Sequence, residues 1–174
     1  MGRGAALATN MACELLTVGQ MAQADALTIE AGTPGFTLMQ AAGRAVAQAI
    51  VQRWSPRATM VLCGPGNNGG DGLVAAAELL QQGWPVRVAM LAEPERLAGD
   101  ARLAWVHWQD RCAACAPGKG LSAPLDEGCL DAQGLVVDAL FGAGLTRPLE
   151  GMAARVLAKA QRKGLPIVAV DVPS

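Results

Sequence analysis

The chain has 174 residues, 52% of them apolar, and its 14 Lys and Arg nearly balance its 15 Asp and Glu. That length supports one domain with a sizeable core, and the apolar content without a long charge run argues against disorder. Near-zero charge excludes a broad basic face for nucleic acid, and four Trp, two Phe and no Tyr are too few for base-stacking platforms.

No stretch approaches about 18 uninterrupted apolar residues, so no membrane span is expected. Residues 1–13 read as a disordered leader, with Met11 an alternative start. The opening Met1-Gly2-Arg3-Gly4-Ala5-Ala6 lacks the hydroxyl of a myristoylation signal, and Gly4 to Leu7 is too short for a secretory one. Thr17-Val18-Gly19-Gln20 has capping-box form and predicts a helix to about Ala31, stopped by Gly32. Thr37-Leu38-Met39-Gln40 repeats that form. Met39, Ala42, Val46 and Ile50 then recur at helical spacing and predict a second helix to about Trp54.

After Pro56 the pattern alternates. Ala58 to Cys63 is a short apolar run that reads as a strand, followed by a Gly-rich loop and a helix from Leu73 to Gln82. Val86 to Leu91 predicts a second strand and Arg96 to about Asp110 a helix. The Ala-, Gly- and Pro-rich stretch from Ala113 to Pro124 reads as a loop. Leu135 to Leu140 is a third strand, Met152 to Lys163 a helix and Ile167 to Asp171 a fourth strand. Strands that are apolar throughout and alternate with helices predict a parallel sheet covered on both faces. The expected fold is α/β: a Rossmann-like three-layer α/β/α domain with a mostly parallel sheet, preceded by two N-terminal helices.

The five cysteines, Cys13, Cys63, Cys112, Cys115 and Cys129, are odd in number and irregular in spacing. They read as free thiols of a cytoplasmic protein rather than a disulfide framework. Cys112-Ala-Ala-Cys115 is a lone CxxC, and His107 is the one histidine available to a zinc site. His107 itself reads as packed on a helix rather than catalytic.

In an open parallel sheet, ligands bind outside the carboxyl ends of the strands. Three predicted strands run into unusual polar sequences there: Gly64-Pro65-Gly66-Asn67-Asn68-Gly69-Gly70-Asp71-Gly72, Asp138 followed by Gly142-Ala143-Gly144-Leu145-Thr146-Arg147-Pro148, and Asp171-Val172-Pro173-Ser174. Three loops and two strand-end acids would converge on one crevice. The first loop formally satisfies G-x-G-x-x-G, with Glu93 placed 24 residues after Gly69 as a ribose acid would be. Three readings of it stand together: a tight turn with Asp71 as helix N-cap, a dinucleotide fingerprint, and a polar pocket of side-chain amides and backbone N–H groups. Asp71 at the expected helix start weighs against the fingerprint, because a carboxylate there competes with a phosphate. Asp138 reads either as a carboxylate hydrogen-bonded to neighbouring loop amides or, beside Gly-rich backbone, as the kind of acid that holds hard cations. With Asn68 and Ser174 adding neutral oxygens, a monovalent ion suits the set better than a divalent one. Arg147 in its Gly-rich loop reads either as a phosphate contact or as a solvated surface side chain.

Gly66-Asn67-Asn68-Gly69-Gly70-Asp71-Gly72, Val137-Asp138-Ala139-Leu140-Phe141-Gly142-Ala143-Gly144 and Val170-Asp171-Val172-Pro173-Ser174, in that order, resemble the YjeF N-terminal domain, the NAD(P)HX epimerase family. Leu16-Thr17 with Gln20-Met21, and Met39-Gln40-Ala41-Ala42-Gly43, add to the resemblance, which covers residues 14–174. It implies a Rossmann-like domain, commonly a homodimer, that interconverts the R and S epimers of hydrated NADH or NADPH, and that is often fused to a C-terminal dehydratase. It implies contact with the hydrated nucleotide for Asn67, Asn68, Gly69, Gly70 and Asp71, for Gly142, Ala143, Gly144, Leu145, Thr146, Arg147 and Pro148, and for Asp171. It implies potassium (K+) at Asn68, Asp138 and Ser174. Asp171 is the expected catalytic acid/base. In the family further chain follows the third motif, so residues 14–174 read as a C-terminally truncated domain. A non-catalytic binding or scaffold module and an NAD-dependent dehydrogenase are the competing functions; retention of the polar loop residues favours the enzyme, and no separate substrate domain favours the dehydrogenase.

Overall fold

The structure is a computed structural model that describes residues 16–131, 134–146 and 148–174. The whole of the expected leader, residues 1–13, and with it Cys13, lies outside the described residues. Two helices come first, α1 (Val18–Glu30) and α2 (Gly35–Arg53). Then follow β1 (Thr59–Cys63), α3 (Asn67–Gln81), β2 (Val86–Met90), α4 (Gly99–Cys115), β3 (Ser122–Pro124), β4 (Leu135–Ala139), α5 (Gly151–Arg162) and β5 (Ile167–Ala169). Short 3-10 turns at Pro94–Arg96 and Glu127–Leu130 precede α4 and β4.

The five strands form one sheet in the order β3-β2-β1-β4-β5, and every pairing is parallel. This is the doubly wound α/β arrangement, with its topological switch between β1 and β4. Cys63 is level with Met90 on one side and with Ala139 on the other, so the three central strands end together. Their side chains alternate between two cores. Val61, Cys63, Val88 and Val137 pack with α2, α3 and α4. Met60, Leu62, Ala89 and Val136 pack with α5, through Ala153, Val156, Leu157 and Ala160. Strands β1 and β4 are buried along their whole length, which is why both read as apolar runs, broken in β4 only by Asp138.

Four expectations need correction. The Gly-rich segment is not a loop up to Leu73, because α3 begins at Asn67. Glycines allow it: a Cβ at Gly69 would collide with the Gly64 carbonyl, and one at Gly72 with the Ala139 side chain, so the helix lies closer to the sheet than any larger residue permits. The stretch from Ala113 to Pro124 is not all loop: α4 continues to Cys115, and Ser122–Pro124 is an edge strand. Three residues containing a Pro carry no periodicity to read, and the edge position tolerates that Pro. Thr37 does not cap α2. The cap position is Pro34, whose carbonyl accepts the Thr37 N–H, and the helix starts three residues earlier. The last strand ends at Ala169, so Asp171 lies beyond it in the following bend. The capping box at Thr17 forms as expected, with the Thr17 side chain and Gln20 bonding reciprocally.

Candidate functional site

A cavity of about 1040 Å³ opens at the carboxyl ends of β1, β4 and β5. Its walls bring together Asn67, Asn68, Asp71, Gly142, Ala143, Gly144, Leu145, Thr146 and Asp171. Gly69 and Gly70 lie buried behind it, and Pro148 is not among its lining residues. Arg147 lies outside the described residues. Asp138 and Ser174 stand beside the cavity rather than in its wall.

Asp71 does not cap the helix. It occupies the second turn of α3, whose first turn carries no acid. Burial, then the negative charges of Asp171 and Asp25, push its carboxyl up to about 7. Asp171 is held differently: its Oδ2 accepts the Ala143 N–H at 2.7 Å. The two carboxyls face one space, and the raised Asp71 carboxyl can hold or release a proton near neutral pH, an arrangement suited to proton transfer.

Asp138 is 2% exposed, within the fourth strand. Its Oδ1 accepts the Leu140 N–H at 3.2 Å and its Oδ2 the Ser174 N–H at 2.9 Å. The Ser174 hydroxyl accepts the Phe141 N–H at 3.1 Å and donates to the Phe141 carbonyl at 3.0 Å. The third motif is thus fastened to the second through one short loop. Asn68 meets the same loop, since a Cβ on Gly142 would lie 3.5 Å from its Cγ and 2.5 Å from Asp171 Oδ2. Both polar atoms of the Asn68 side chain are buried without a hydrogen-bond partner. An orphaned amide oxygen next to a loop closed by a buried carboxylate and a hydroxyl fits an oxygen-ligated cation.

Sequence reasoning missed part of the wall. Met21, Asp25 and Ile29 of α1, Met39 and Ala42 of α2, and Asp100 of α4 also line the cavity. The spacing of Met21, Asp25 and Ile29 is four residues each time, one helix face, and that signal was available. With Asp71 and Asp171, four acids surround the space. His107 packs edge-on against Phe36 with ring centroids 6.3 Å apart, outside the cavity. Cys112 and Cys115 close the last turn of α4, and the four described cysteines are free thiols. Among the described residues no helix is long and apolar enough to cross a membrane.

The family model described as YjeF-related protein N-terminus matches residues 35–174. The chain belongs to this family. A Rhodobacter capsulatus protein named NAD(P)H-hydrate epimerase is 42% identical over 170 residues, covering 92% of this chain and 76% of that protein. One of the same name from Bordetella pertussis is 44% identical over 141 residues, or 80% of this chain and 58% of its own length. A Thermofilum pendens protein named bifunctional NAD(P)H-hydrate repair enzyme Nnr is 40% identical, with 79% of this chain matching 26% of that longer protein. The crystal structure of yeast ynu0 superposes with a TM-score of 0.73 at 26% identity, over 88% of this chain and 68% of the yeast chain.

Proposed function

We propose that the chain carries the epimerase activity named in its relatives and interconverts the two epimers of hydrated NADH or NADPH. The observation that carries this reading is the facing pair Asp71 and Asp171. The substrate bears a hydroxyl on the ring carbon beside the ring nitrogen. Asp71, raised to about 7, keeps a proton near neutral pH that the pair delivers to that hydroxyl, which leaves as water. The nitrogen lone pair forms the C=N bond of an iminium ion as the C–O bond breaks. Water adds back to the other ring face and returns the proton to the pair, so the exchange is balanced and needs no oxidant or reductant. The acids lining the cavity favour the positive charge of the intermediate. Asp171, fixed by the Ala143 N–H, is the residue chosen for direct proton transfer.

Potassium fits Asn68, Asp138 and Ser174, and the orphaned Asn68 amide supports it. Bound there, it would supply a fixed positive charge that holds the Phe141–Ala143 loop. The reading includes a homodimer, which the exposed apolar side chains of α1 (Val18, Met21, Leu27 and Ile29) and of Leu16 just before it support. It also includes a fused dehydratase in longer relatives of this chain.

The test is epimer exchange of hydrated NADH and NADPH, followed by NMR with a protein-free control for the spontaneous reaction. Acceleration above the control is the expected result. Thermal stabilisation by the hydrates without acceleration would make the chain a binding module instead.

A further inference from the structure

A second pocket, about 270 Å³, lies at the carboxyl ends of β2 and β3, and the epimerase reading does not use it. Its wall is mainly apolar: Leu91, Pro94, Trp105 and Leu125 contribute, and Glu93 is its one acidic side chain. Glu93 follows β2 by three residues and is exposed. Trp105 is 8% exposed, so its ring is a fixed surface.

The sheet order puts this pocket and the acidic cavity on opposite sides of the start of α3. β2 and β3 lie to one side of β1, and β4 and β5 to the other. Neighbouring strands are about 4.8 Å apart, so the two spaces are two to three strand spacings, or roughly 10–15 Å, from each other. Between them the first turn of α3 carries no acid and no side-chain cap. A Cβ on Gly66 would meet nothing within 4 Å, which leaves open space over that helix end. The acidic cavity suits a ring that becomes cationic and is unsuited to a pyrophosphate. The uncapped helix end suits the pyrophosphate. A dinucleotide with its hydrated ring among the acids and its pyrophosphate over α3 then directs its other half toward β2 and β3.

We propose that this second pocket binds the adenosine half of the hydrated dinucleotide, with Glu93 accepting the ribose hydroxyls, and that NADH hydrate is therefore preferred to NADPH hydrate. An adenine suits the apolar slot beside Trp105, and a carboxylate just past the second strand is where a ribose is held in doubly wound nucleotide-binding domains. A 2′-phosphate would meet that carboxylate with like charge. The nearby Arg102 does not relieve this, because its Nη1 donates to the Pro94 carbonyl at 3.1 Å and it does not line the pocket.

This inference rests on the epimerase reading, and two readouts separate them. Epimer exchange is measured with both hydrates for the wild type, Glu93→Gln and the pocket-filling Ala123→Phe. Calorimetry with ADP-ribose and ADP-ribose 2′-phosphate is run on the same proteins. The expected wild-type preference is about tenfold for NADH hydrate and for ADP-ribose, consistent with one charged contact. Glu93→Gln should abolish the preference by raising KM for NADH hydrate, and Ala123→Phe should raise KM for both hydrates. Active protein with no preference, or a preference that survives Glu93→Gln, overturns the assignment. Absence of exchange overturns the epimerase reading, while the calorimetry still decides whether Glu93 discriminates the nucleotides.

Discussion

Asp171 accepts the Ala143 N–H at 2.7 Å, and this bond ties the segment after β5 to the Gly-rich loop after β4. Gly142, one residue earlier, has no room for a side chain, since its Cβ would lie 2.5 Å from Asp171 Oδ2. Gly142→Ala should therefore displace the Asp171 carboxylate and lower kcat at least about tenfold, the usual scale of a mispositioned catalytic group. The loop is half-exposed, so the melting temperature should fall by only a few degrees. A loss of activity that merely tracked unfolding would remove Gly142 from the positioning role.

Asp71 makes both stability and activity depend on pH. Its carboxyl is raised from 3.8 to about 7 in the fold. Between those values the folded chain holds a proton that the unfolded chain has released. Stability therefore falls as pH rises through this window, and the cost is complete above it. Asp71→Asn, which has no charge to bury, should exceed the wild type at pH 8 by about 1–2 kcal/mol after solvent screening, and the difference should vanish near pH 4. Denaturant melts at the two pH values measure it. In the wild type, exchange should decline as pH rises through about 7, and Asp71→Asn should lack that limb.

Most of this site was legible in the sequence, because its polar loops interrupt apolar strands. Asp138 breaks a run of buried aliphatics, and Asn68 and Asp171 lie in the segments that follow strands, so all three were visible as exceptions. The start of α3 was not visible, since Asn67 to Gly72 has the composition of a turn. Close packing against Gly64 and Ala139, a tertiary constraint, makes those residues helical. That difference reverses one argument: with Asp71 in the second turn, no acid opposes a phosphate at the helix end. Ser122–Pro124 was hidden for another reason, as its strand character comes from pairing with Val88–Met90.

Potassium gives a third prediction. If Asn68, Asp138 and Ser174 hold the ion, potassium chloride should raise the melting temperature above that in an equal concentration of tetramethylammonium chloride. Asn68→Ala should cancel the difference. An Asn68→Ala protein that still distinguishes the two salts would place the ion elsewhere.

Helix α1 is capped but has no buried residue. Thr17→Ala removes the capping box, a loss of about 1 kcal/mol to the helix. Hydrogen exchange should therefore speed up across Val18–Glu30, while exchange in β1 and β4 stays unchanged. Equal acceleration in the central strands would show that α1 is part of the main cooperative unit.

The proton-transfer pair is tested most directly by replacing Asp171 with Asn and measuring epimer exchange of hydrated NADH by NMR at pH 7, with the spontaneous rate subtracted. A fall of at least about 100-fold is expected, the scale of a lost general acid/base, in a protein whose thermal stability is retained. Exchange at the wild-type rate would contradict it and remove Asp171 from the chemistry.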